Sequence, residues 1–141
     1  MKRLPLSALT ALIGIGLFIA SPETVVAQGK APPDGAYKKV STLVALPDFV
    51  PGLGTLYVDP ATLPAGPFLA YDHQGKLVSS IYMIPLKDMN AQKSFSVLKA
   101  GHEPVDHVDI IYNAGHPGVA EPHYHVIVWY ISAQRAAQLA K

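Results

Sequence analysis

Prolines and glycines cut this chain into short apolar runs, and that punctuation constrains the fold more than any other feature. The thirteen prolines and eleven glycines fall between segments such as Thr55-Leu56-Tyr57-Val58, Phe68-Leu69-Ala70-Tyr71 and Leu77 to Pro85. A proline removes a backbone donor and a glycine supplies turn conformations, so segments of this length bounded this way read as strands. A first strand is expected within Tyr37 to Leu46, ended by Pro47, and later strands over Val105 to Tyr112 and Pro122 to Ser132. Asp72-His73-Gln74-Gly75-Lys76 reads as a hairpin loop. The unbroken apolar run Ile81 to Ile84 implies burial on both faces of its strand. Residues 86–100 fit neither period, and one helical turn is expected there. Ser132 heads a run of good helix formers and acts as the N-cap of a short C-terminal helix. The expected fold is mainly β and antiparallel, a sandwich or barrel, with that terminal helix; an α+β arrangement is the alternative.

The N-terminus reads as an address. Lys2 and Arg3 precede an apolar stretch from Leu4 to Ala20, and Val25-Val26-Ala27 offers the small residues that signal peptidase accepts. Residues 1–27 are therefore expected to be a cleaved signal peptide, residues 28–36 a flexible arm, and residues 37–141 a single β-rich domain. The mature protein would be periplasmic or secreted. Without Lys2, Arg3 and Glu23, its acidic and basic residues are equal in number, and Arg135 is its one arginine. Nucleic-acid binding needs clustered cations to neutralise phosphates, and none is found. A membrane-binding basic patch is equally missing once the leader is gone. The chain has no cysteine, so disulfides cannot staple this small domain. Its stability must come from packing, a bound metal or homo-oligomerisation.

The chemistry is concentrated near the C-terminus, in Gly115-His116-Pro117-Gly118-Val119-Ala120-Glu121-Pro122-His123-Tyr124-His125. Residues two apart on a strand point to one face. His123 and His125 thus project together, and the Pro-Gly turn can fold His116 back toward them. Neutral imidazoles are common metal ligands, and three of them suit Zn²⁺ or Cu²⁺. His107 shares a strand face with Asp109 and is a further candidate ligand. Glu121 and Asp109 are the candidate acid or base should the site be catalytic. Three readings stay open for the histidines: a metal site, a site for an organic ligand or proton transfer, and a structural role, for instance lining a subunit interface. His73 and His102 read as loop residues. Binding, buffering or a stress-response role is favoured over catalysis, with a metal-dependent enzyme and a purely structural assembly protein as alternatives. The expected partners are a metal ion or small molecule and further copies of the chain.

Residues 50–135, most specifically 107–132, also resemble an exported bacterial family, a domain of unknown function. The resemblance is carried by His107-Val108-Asp109, Tyr112-Asn113-Ala114-Gly115-His116-Pro117, Glu121-Pro122-His123-Tyr124 and Trp129-Tyr130-Ile131-Ser132. The family prototype is a Thermus protein controlled by an extracytoplasmic sigma factor and its anti-sigma factor. The resemblance implies export and a ring-like homo-oligomer, and it brings no activity with it. In the family strand an Asp stands at the position of His125 and a second His at the position of Ile127. His116 and His123 therefore carry over, whereas His125 rests on the residues of this chain alone.

Overall fold

The apolar runs between prolines become strands, and the strands become one sheet. The structure, a computed structural model, describes residues 29–141; the leader expected over residues 1–27 lies outside the described residues. The strands are β1 (Lys38–Lys39), β2 (Thr55–Val58), β3 (Phe68–Tyr71), β4 (Leu77–Pro85), β5 (His107–Asn113) and β6 (His123–Trp129). They pair antiparallel in the order β1-β2-β3-β4-β6-β5. The fold is thus mainly antiparallel β, as expected. Among the described residues it is one open sheet rather than two stacked sheets or a closed barrel, because β1 and β5 are free edges. A short helix α1 (Leu86–Asn90) follows β4, and α2 (Ala133–Ala136) runs into a 3₁₀ turn, Ala137–Ala140, at the C-terminus.

Register decides what each face carries. Directly opposed residues of antiparallel strands share a face. Val58, Phe68, Ile81 and Ile127 form one row across four strands, with Met83 opposite His125 and Pro85 opposite His123 on the same side. This side holds the main core, where Ile131 and Leu139 of the C-terminal segment and Val44, Leu46 and Phe49 of the loops pack over the strands. A backbone bond from Gly52 N–H to the Leu139 carbonyl, 2.8 Å, ties those two coverings together. A register shift at Ala70/Tyr71 turns the start of β4. Leu77 consequently packs with Leu69 and Tyr71 on the second face, while Val78 joins the main core. Gly54 lets the chain enter β2 close against the end of β3: its φ is +109°, and a Cβ there would collide with the Tyr71 carbonyl oxygen.

Two expectations need correction. The first strand is only Lys38–Lys39; Val40–Thr42 turns as a 3₁₀ helix that buries Val40, and Val44 and Leu46 fold over the core face. Covering that face outweighs the strand-like composition of the segment. The arm expected over residues 28–36 is docked rather than free where it begins. Ala31 N–H donates to the Gly75 carbonyl at 2.8 Å and Leu77 N–H to that of Gly29 at 3.2 Å, while Ala31 packs on the Leu69, Tyr71 and Leu77 cluster.

Candidate metal centre

The last hairpin builds the centre. His123 and His125 stand on the core side of β6, facing Pro85 and Met83 of β4 and Asn113 and Ile111 of β5. His116 comes from the connection between β5 and β6. Its N–H donates to the Val119 carbonyl and Val119 N–H donates back to that of His116, both at 2.9 Å. Pro117 and Gly118 occupy the middle of this turn, Gly118 with φ +88°. A fixed proline φ followed by a glycine at positive φ is the chemistry of a type II turn. The turn carries His116 onto the β6 pair: ring centroids lie 4.9 Å apart for His116 and His123, 5.6 Å for His116 and His125, and 4.8 Å for His123 and His125. One ligand nitrogen from each ring lies within 4.8 Å of the others, so the three histidines could hold a metal ion.

Backbone carbonyls orient two of the rings. His123 Nδ1–H donates to the Glu121 carbonyl at 2.8 Å, and His116 Nδ1–H donates to that of Pro117 at 3.0 Å. A proton held on Nδ1 leaves the lone pair on Nε2, the atom that binds an ion, and such outer partners are the usual support of ligating histidines. His123 is fully buried, and its Nε2 lies 3.0 Å from His125 Nε2. Because His123 Nε2 carries the lone pair, His125 Nε2–H is the donor of that bond when no ion is bound. An ion would take the proton's place, and at metal–nitrogen distances of about 2.0–2.1 Å two nitrogens this close could share it. Burial, with His123 and His116 beside it, holds the His125 imidazole down to about 4. That ring is therefore a neutral ligand throughout the physiological range.

The remaining candidates lie elsewhere. His107 pairs with Trp129, at the end of the hairpin away from its loop, whereas Asn113 is the residue paired with His123. Six residues of strand separate the two pairs, roughly 20 Å. Sharing a face with the centre does not bring His107 to it. His107 Nδ1 instead meets Asp106 Oδ1 at 2.8 Å, and its ring lies over Trp129. Asp109 accepts from Trp129 Nε1–H at 2.9 Å, at the same remote end. The Glu121 carboxylate turns outward to Lys87, 2.7 Å away, and only its backbone carbonyl serves the centre. Among the described residues no Asp or Glu belongs to the group of ligands. His73 is an exposed loop residue as expected, with its ring stacked on Phe49 at 3.7 Å, and His102 is exposed in its loop.

One feature beside the centre had no signal in the sequence. A cavity of about 280 Å³ opens against His116 and His125, lined otherwise by apolar side chains of the core face and by Asn113. Its walls come from segments remote along the chain, including the 40–46 stretch that composition assigns to a strand.

No protein-family model and no curated protein matches the chain. Among solved structures, it is similar to a crystal structure described as a hypothetical protein from Thermus thermophilus. The two are 46% identical with a TM-score of 0.61, over 68% of this chain and 88% of the other.

Proposed function

This chain belongs to the same family as that Thermus protein, and from that premise we propose that it is a small exported metal-binding protein. Its site is His116, His123 and His125, and its ion Zn²⁺ or Cu²⁺. The observation that carries this reading is the pair of carbonyl-anchored Nδ1 atoms, Glu121 O to His123 and Pro117 O to His116. Both rings are held in the tautomer that an ion requires before any ion arrives. Imidazole donors without thiolate or carboxylate suit Zn²⁺ and Cu²⁺ among the first-row metals. Binding, buffering or a stress response is the role, rather than catalysis, because Glu121 and Asp109 are engaged with Lys87 and Trp129. Export is supported by Lys2 and Arg3 ahead of the apolar run to Ala20 and by the small residues at Val25-Val26-Ala27. The resemblance to a family whose prototype is under extracytoplasmic sigma-factor control supports the stress-response setting.

The protein acts as a homo-oligomer. On the face opposite the centre, Val108, Ile110 and Tyr112 of the edge strand β5 are all more than half exposed. An apolar row on an open sheet edge invites pairing. A second copy of the same strand, run antiparallel, offers the matching surface under two-fold symmetry.

Chelator-treated protein tests the metal reading. It is expected to take up one equivalent of Zn²⁺ or Cu²⁺ by elemental analysis and titration calorimetry. His123→Ala and His125→Ala should lose more than the roughly 10–100-fold in affinity that follows from altering an outer partner. Equal, substoichiometric metal in wild type and variants would remove the proposal.

A further inference from the structure

The cavity against the three-His group is nearly all hydrocarbon. Val44, Leu53, Leu56, Phe68, Ile81 and Met83 are among its lining residues, and the polar side chains are His116, His125 and Asn113 alone. Those three come together, since Asn113 pairs with His123 and His125 lies two residues further along β6. His123 is fully buried behind them. The open side of an ion on the three nitrogens is therefore the cavity. An apolar chamber with its few polar groups at one point is the general form of a small-molecule site. At about 280 Å³ it is nearly twice the ~150 Å³ cavity that admits benzene, which suits a ligand of about ten non-hydrogen atoms.

Charge selects the head group. Three neutral imidazoles leave a divalent ion with its full charge beside a hydrocarbon wall, which is costly unless an anion accompanies it. A carboxylate oxygen is an ordinary fourth ligand for zinc. We propose that the cavity takes the apolar tail of a medium-chain monocarboxylate, whose head group completes the coordination of the ion held by His116, His123 and His125. The head-group half of this inference rests on the metal reading above; the tail half rests on the cavity alone.

Titration calorimetry of the zinc-loaded full protein with butanoate, hexanoate, octanoate and decanoate tests it. Affinity is expected to rise about fourfold per added methylene, the fold-change of burying one CH₂, and to level off once the chamber is full. Leu56→Trp, which fills the chamber from β2, should flatten the series while zinc stoichiometry stays at that of the wild type. Leu53→Phe supplies the same test from another wall, and retained zinc reports that either variant is folded. An affinity independent of chain length overturns the proposal. A series that rises equally with and without zinc overturns the coordinated head group. A protein that takes up no zinc is recognised separately by its metal content; that result overturns the metal reading and with it the coordinated head group, while the series on metal-free protein still decides whether the chamber binds a tail.

Discussion

His125 shows how burial and neighbouring rings set the chemistry of a single side chain. Burial, with the His123 and His116 rings beside it, pushes its imidazole from the ordinary 6.5 down to about 4. Between those values the unfolded chain binds the proton and the folded chain does not, so acid favours unfolding. The stability of the metal-free protein is therefore fully present above about pH 6.5 and falls as pH drops toward 4. Denaturant midpoints across this range should show that slope, and His125→Asn should remove part of it. Nuclear magnetic resonance of the His125 ring in metal-free protein should report the low titration point directly. Glu121→Gln is a second test at this scale. Its carboxylate serves an exposed ion pair with Lys87, and such pairs contribute little. Metal affinity should change by no more than about twofold, because the anchoring carbonyl remains. The sequence displays the triad because period two joins His123 to His125 and Pro117-Gly118 specifies the turn that returns His116. It hides the anchors, which are backbone atoms common to every residue. It also misleads on His107, where the face is right and the distance is wrong.

Elements were legible where the chain alternates or breaks cleanly. The expected bounds of Leu77 to Pro85 match β4, and its burial on both faces is observed for all but Ile84. The helical turn allowed within residues 86–100 is α1, and Ser132 does cap α2. That cap is long, 3.4 Å from Ser132 Oγ to Arg135 N. Ser132→Ala should thus cost only about 0.5 kcal/mol, the low end for an N-cap, by thermal or chemical denaturation. The β5–β6 connection is more demanding. Gly115 has φ +130°, its N–H donates to Asn113 Oδ1 at 2.8 Å, and a Cβ would stand 2.7 Å from the Ala120 carbonyl oxygen. Gly115→Ala should displace the loop that carries His116, weakening metal binding about tenfold or more while β6 stays paired, as an outer-partner change would. Calorimetry alongside circular dichroism separates the two effects. The 37–46 stretch was illegible for the opposite reason. Its fate depends on the apolar face it closes, which is assembled from strands far along the chain.

At the scale of the molecule, the single sheet leaves each face a different task. One face is covered by loops and the C-terminal segment except at the cavity and along β5 around Ile111. On the other, Ala31, Tyr37 and Tyr130 cover the β3 and β4 side around Leu69, Tyr71 and Leu77, and the apolar row of β5 stays open. Ile110→Asp places a charge in the middle of that row, and sedimentation should report a smaller species than wild type with metal content unchanged. An identical sedimentation profile would count against association through this strand. Composition alone announced a β protein with turns at the prolines and glycines. It could not distinguish one sheet from two, because a strand covered by a loop and one covered by a second sheet need the same hydrophobic residues. The alternation of β6 has a last consequence. His123, His125 and Ile127 point inward, while Tyr124, Val126 and Val128 point to the opposite side. A single inserted residue ahead of His123 that slipped this strand by one position would exchange the two sets, turning the nitrogens outward and the aromatic and branched side chains inward. The three-nitrogen group would be taken apart by one error of alignment, with every residue type of the strand unchanged.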